Sequence, residues 1–110
     1  MNTARVIRCE HPNGQRANRG FEDLDEYPWE DLPCPNDDGI YTDDWIGAGW
    51  VCGAHEHTLD SWFPPGIRAT FRNMGYRFVV LDVPIKSTHM GRMQAVFDRK
   101  AAVEVGEYLQ

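Results

Sequence analysis

The sequence predicts an α+β domain: a small antiparallel sheet, two short helices and one long acidic loop. Three observations point to it. Residues 4–9 and 76–83 are runs of β-branched and apolar side chains of the kind that strands favour. Between them Ile67, Phe71 and Met74 recur at i, i+4 and i+7, the stripe of an amphipathic helix. Residues 20–45 hold Pro28, Pro33, Pro35 and Gly39 among ten carboxylates and read as an irregular excursion.

The elements follow in order. Ala4-Arg5-Val6-Ile7-Arg8-Cys9 is the first strand, and His11-Pro12-Asn13-Gly14 stops it with turn chemistry. After the excursion, Trp50-Val51-Cys52 forms a short strand between Gly49 and Gly53. Thr58 is placed to cap a helical turn whose Asp60 complements the dipole. Pro64-Pro65 breaks that turn and starts the second helix, because proline is tolerated at the first helical position. Gly75 is expected as the residue just past that helix. The helical spacing of the aromatics puts them in the core and the arginines Arg68, Arg72 and Arg77 on the solvent face. Residues 76–83 form the strongest strand, ended by Pro84. Residues 93–97 form another, expected to pair with it through the loop 84–91. Residues 101–109 are read as a tail with helical character. The whole chain, 1–110, is one domain by length, with residues 48–98 as its main scaffold.

Composition excludes several classes. Hydrophobic content of 42% is enough for a core and too high for a disordered chain. No apolar run approaches the ~20 residues that span a bilayer, so no membrane partner is expected. Residues 1–5 lead straight into a strand, so no leader is expected either. Three cysteines at unrelated spacings do not form a disulfide framework and fit a reducing, cytoplasmic location. Residues 1–60 carry 13 acidic and 4 basic side chains, against 4 and 7 in residues 61–110. Phosphate neutralisation by the first half is therefore disfavoured, and a partner with a basic surface is favoured. The plainer role of such a loop is solubility.

Four groups of residues carry candidate chemistry. Cys9 with His11, Cys34, and Cys52 with His55 and His57 together supply thiol and imidazole donors suited to zinc, but not as two close cysteine pairs. Cys52 beside an imidazole is also a possible nucleophile, although nothing orients it, and a packed strand cysteine is the simpler reading. Trp62, Phe63, Arg68, Phe71, Arg72, Tyr76 and Arg77 interleave rings and guanidiniums as a stacking platform would, but helical spacing explains the rings as core. Trp29, Trp45 and Trp50 lie in or beside the acidic excursion, where tryptophans anchor protein interfaces or fold a loop onto its core. No phosphate-binding loop or dinucleotide fingerprint is present, so no cofactor is expected.

The segments Leu32-Pro33-Cys34-Pro35-Asn36-Asp37-Asp38-Gly39, Trp50-Val51-Cys52-Gly53, Thr58-Leu59-Asp60-Ser61-Trp62-Phe63, Gly75-Tyr76-Arg77-Phe78 and Gly91-Arg92-Met93-Gln94-Ala95-Val96-Phe97 occur in an order that resembles small bacteriophage and prophage proteins. The resemblance spans residues 32–98. It implies a phage-encoded accessory protein acting in the host cytoplasm, with no settled activity; such proteins often bind and inhibit a host protein or defence complex. With the charge pattern, it directs attention to Trp29, Asp37, Asp38, Asp43, Asp44 and Trp45 as partner-binding residues. A second resemblance, to ADP-ribosyltransferase-like folds, implies an NAD site in which Arg5 or Arg8 meets the cofactor. Gln94 would then stand where such a fold carries its catalytic glutamate, and an amide cannot supply that charge.

Overall fold

A computed structural model describes residues 2–12, 37–40 and 49–110. Trp29, Cys34, Asp43, Asp44, Trp45 and most of the acidic excursion lie outside the described residues. In chain order the elements are β1 (Thr3–Glu10), β2 (Trp50–Ala54), α1 (Leu59–Trp62), α2 (Pro65–Asn73), β3 (Arg77–Pro84), β4 (Thr88–Met90), β5 (Gln94–Asp98) and β6 (Val103–Glu107). The strands form an antiparallel sheet in the order β4-β5-β2-β1-β3-β6. The α+β class stands.

β1 and β3 pair over their whole lengths, from Thr3 opposite Pro84 to Glu10 opposite Arg77. Both are interior strands with two buried faces, so their centres read as continuous apolar runs. On one face Ile7, Cys9, Ala54 and Phe78 pack against Leu59, Phe63 and Phe71 of the helical layer. On the other, Val6, Val79, Leu81, Val83, Ala95 and Phe97 form a second cluster.

The helix end follows the sequence closely. Pro65 opens α2, and Gly75, at φ +95°, closes it. The Tyr76 amide donates to the Phe71 carbonyl and the Gly75 amide to that of Arg72, both at 3.0 Å. This is a Schellman closure, sealed by an edge-on contact of the Tyr76 and Phe71 rings.

Several expectations are corrected. β5 does not pair with β3, because β1 and β6 occupy the two edges of β3. Its partners are β2 and a strand not anticipated, β4, which lies inside the loop thought to connect them. Residues 103–107 are a strand, not a helical tail, since Val103 and Val105 alternate with Glu104. Met74 is 41% exposed, whereas Arg68 is buried. The arginines of α2 therefore do not all face solvent. Thr58 stands at the expected boundary, but its hydroxyl donates to the Met93 carbonyl at 2.8 Å and does not cap α1.

Candidate functional site

The densest polar constellation surrounds the turn between β4 and β5. Residues 37–40 pack against it, and Asp38, only 6% exposed, reaches into it. Its two carboxylate oxygens accept from the amides of Arg92 at 3.1 Å, Met93 at 3.1 and 2.9 Å, and Gln94 at 3.0 Å. Three consecutive amides converging on one carboxylate form a backbone nest for an anion. Gly91 is required beside it, because a Cβ there would collide with the Asp38 carboxylate.

The helical layer holds the same turn from the other side. The Met93 carbonyl accepts from the Thr58 hydroxyl and from the Trp62 indole at 2.6 Å. His55 Nε2 lies 2.6 Å from the Gly91 carbonyl, and the His55 ring stacks on His57 at 5.3 Å. The turn at 91–94 is thereby a rigid seat, and Asp38 is the residue seated in it. Asp37, next to it, is exposed.

A second cluster lies on the sheet face away from the helices. Glu10 accepts two hydrogen bonds from Arg99, at 2.9 and 3.0 Å, and one from Arg8 at 3.0 Å. Arg8 also donates to the Cys52 carbonyl at 2.6 Å. Burial raises the Glu10 pKa, but the hydrogen bonds and charges of Arg99 and Arg8 outweigh it and leave the carboxyl below its usual range. Burial lowers the pKa of Arg8, and the bond to Glu10 raises that of Arg99. A carboxylate held ionised by two guanidiniums is a poor proton donor, and this cluster ties β1 to β2 and to the segment after β5.

The zinc residues do not gather. Among the described residues no group of three or more His, Cys, Asp or Glu side chains is placed to hold a metal ion. Cys9 is buried, and burial pushes its thiol up to about 12, so it is neither a ready ligand nor a nucleophile. Cys52 is exposed on β2, while the His55 ring is turned to Gly91.

Arg5, Arg8 and Gln94 do not share a pocket. Three residues apart on one strand, Arg5 and Arg8 point to opposite faces. Arg5 pairs with Asp82 at 3.2 Å, and Arg8 with Glu10. Gln94 is buried on β5, with β2 between it and β1. The geometry gives no support to the ADP-ribosyltransferase resemblance, and that reading is withdrawn. Of the expected partner-binding residues that are described, Asp37 is exposed and Asp38 is internal.

The seat at 91–94 was invisible in the sequence, because it joins residues from three distant stretches through backbone atoms. The only local signal was the Asp37-Asp38-Gly39 turn chemistry.

A family model described as Bacteriophage T4 Y00F protein matches residues 1–109. The chain therefore belongs to that phage protein family. No curated protein and no solved structure matches it.

Proposed function

We propose that this member of a phage protein family is an accessory binding protein that docks on the basic surface of a host protein and inhibits it by occlusion. The contact surface is the acidic segment 20–45, with Trp29, Asp37, Asp43, Asp44 and Trp45 as its principal residues. Asp38 has a different role in this reading: it positions the segment and does not touch the partner. The action is placed in the host cytoplasm.

One observation carries the reading. The seating of Asp38 on three backbone amides ties the acid-rich stretch to the sheet scaffold and leaves Asp37 exposed beside the anchor point. Anchoring of this kind lowers the ordering entropy that a binding segment loses on docking. Clustered carboxylates in turn accelerate encounter with a basic patch and select for it. No helix among the described residues is long and apolar enough to cross a membrane.

The test is capture from host lysate with tagged protein at low and high salt, comparing the native chain with an Asp37→Asn/Asp43→Asn/Asp44→Asn variant. A stoichiometric host protein, lost at high salt and weakened in the variant, is the expected result. Capture that is equally strong with the variant and insensitive to salt would refute the electrostatic contact. Trp29→Ala and Trp45→Ala should each cost about 2 kcal/mol of binding if they are anchors.

A further inference from the structure

Arg72, on the face of α2 that meets the segment after β6, is a cation with no side-chain carboxylate partner among the described residues. Its Nη2 donates to the main-chain oxygens of Tyr108 at 2.6 Å and Gln110 at 3.2 Å. Its Nε is buried and has no hydrogen-bond partner. Those two nitrogens are the arms of the fork with which a guanidinium grips a carboxylate or a phosphate by two parallel bonds. Here one arm rests on main-chain oxygens and the other is empty. The centroid of the Phe78 ring, 5.3 Å from the guanidinium carbon, faces the charge but supplies no lone pair.

Arg68 stands one turn before Arg72 on the same face and is only 3% exposed. Its Nε donates to the same Gln110 oxygen, at 2.8 Å, while its Nη1 holds the Phe63 carbonyl and Asp60. The Asp60 side chain is 75% exposed, so its charge is largely screened by water. Two guanidiniums thus converge on a single oxygen. Buried cations are ordinarily paired and buried N–H groups ordinarily bonded, so the empty Nε beside that oxygen marks room for a stronger acceptor. The segment now filling the place is lightly held. Leu109 is 74% exposed, and the other ties are the Tyr108 amide to the Phe78 carbonyl and the Tyr108 ring under Arg68.

We propose that Arg68 and Arg72 form a binding site for an oxyanion, a phosphate or carboxylate group, with residues 108–110 as its displaceable cover. The entering anion takes Nε and Nη2 of Arg72 and Nε of Arg68, and the main-chain oxygens of Tyr108 and Gln110 give way to it. Its charge is what the half-buried Arg72 lacks, and its several oxygens satisfy the nitrogen that the segment leaves unbonded. The site is independent of the acidic segment 20–45 and of the partner proposed for it.

NMR titration of the full chain tests this with inorganic phosphate and, separately, acetate, each at fixed pH and at an ionic strength balanced with sodium chloride. The Arg72 Nε–H resonance should shift and saturate at millimolar anion, and exchange at the Tyr108 amide should speed as the cover lifts. Saturation by phosphate identifies a phosphoryl ligand, and saturation by acetate identifies a carboxylate. Arg72→Gln should abolish the response while the β1 and β3 amides keep their native positions. Arg72→Lys, which keeps the charge and loses the fork, should weaken binding roughly tenfold or more. No saturable shift with either anion would overturn the proposal. A response that Arg72→Gln or Arg72→Lys leaves undiminished would overturn it equally, since diffuse attraction to the surface would then account for it.

Discussion

Asp38 illustrates what one side chain decides in a domain of this size. Its carboxylate satisfies three successive amides that would otherwise be unpaired at the start of β5. Asp38→Ala should lower the unfolding free energy by about 3 kcal/mol in urea titration, since buried donors lose a charged acceptor. A loss under ~0.5 kcal/mol would mean that the amides find water instead. Glu10 governs the acid limb. Its folded pKa lies below the ordinary 4.5, so its contribution is present above that value and is lost as pH falls through the folded one. Glu10→Gln should therefore reduce stability at neutral pH and flatten the decline below about pH 4.5. The thiols should differ sharply. In a Cys34→Ser background, Cys52 should react with a thiol reagent at pH 8 in the native state, and Cys9 only in denaturant. Prompt native labelling of both would show that the Cys9 environment opens readily.

α2 does more than cover the sheet. Arg68, buried on this helix, bonds to the carbonyls of Phe63 at 2.7 Å and Gln110 at 2.8 Å, and to Asp60 at 2.5 Å. Arg72 reaches the carbonyls of Tyr108 at 2.6 Å and Gln110 at 3.2 Å. Two guanidiniums on one helix face thus hold the segment after β6 against the helical layer, and the Tyr108 ring lies under Arg68. Asp60 is 75% exposed at its side chain, so its share of the pairing is small. The carbonyls matter more. Arg68→Met should cost about 2 kcal/mol and should speed hydrogen exchange at the Tyr108 amide, which donates to Phe78. Unchanged exchange there would show that strand pairing alone secures the segment.

At the scale of the molecule, most sheet contacts join distant parts of the chain. β1 meets β3 across some seventy residues, and β2 lies between β1 and β5. The pairing of β4 with β5 is the short-range exception in the sheet. Loop closure must precede the contacts that compensate for it, so refolding should take milliseconds to seconds in stopped-flow fluorescence. A microsecond phase carrying the full tryptophan signal would contradict this.

The sequence by itself determined the class and most of the local elements. β1, β2, α2, β3 and β5 were legible because periodicity, proline and glycine act within a few residues. Pro65 is tolerated where the first helical amide needs no partner, and the positive φ of Gly75 is a requirement that other residues meet poorly. Membership of a phage group was legible in the order of short segments between residues 32 and 98. Only the tertiary structure decided which strands are neighbours, because the alternation that marks a strand does not name its partner. The strand character of residues 103–107 depended on finding a free edge on β3. The burial of Arg68 depended on carbonyls far along the chain. Asp38 is the clearest case. In the sequence it is one carboxylate among ten in an acidic run, and only three amides fifty-odd residues away make it an anchor.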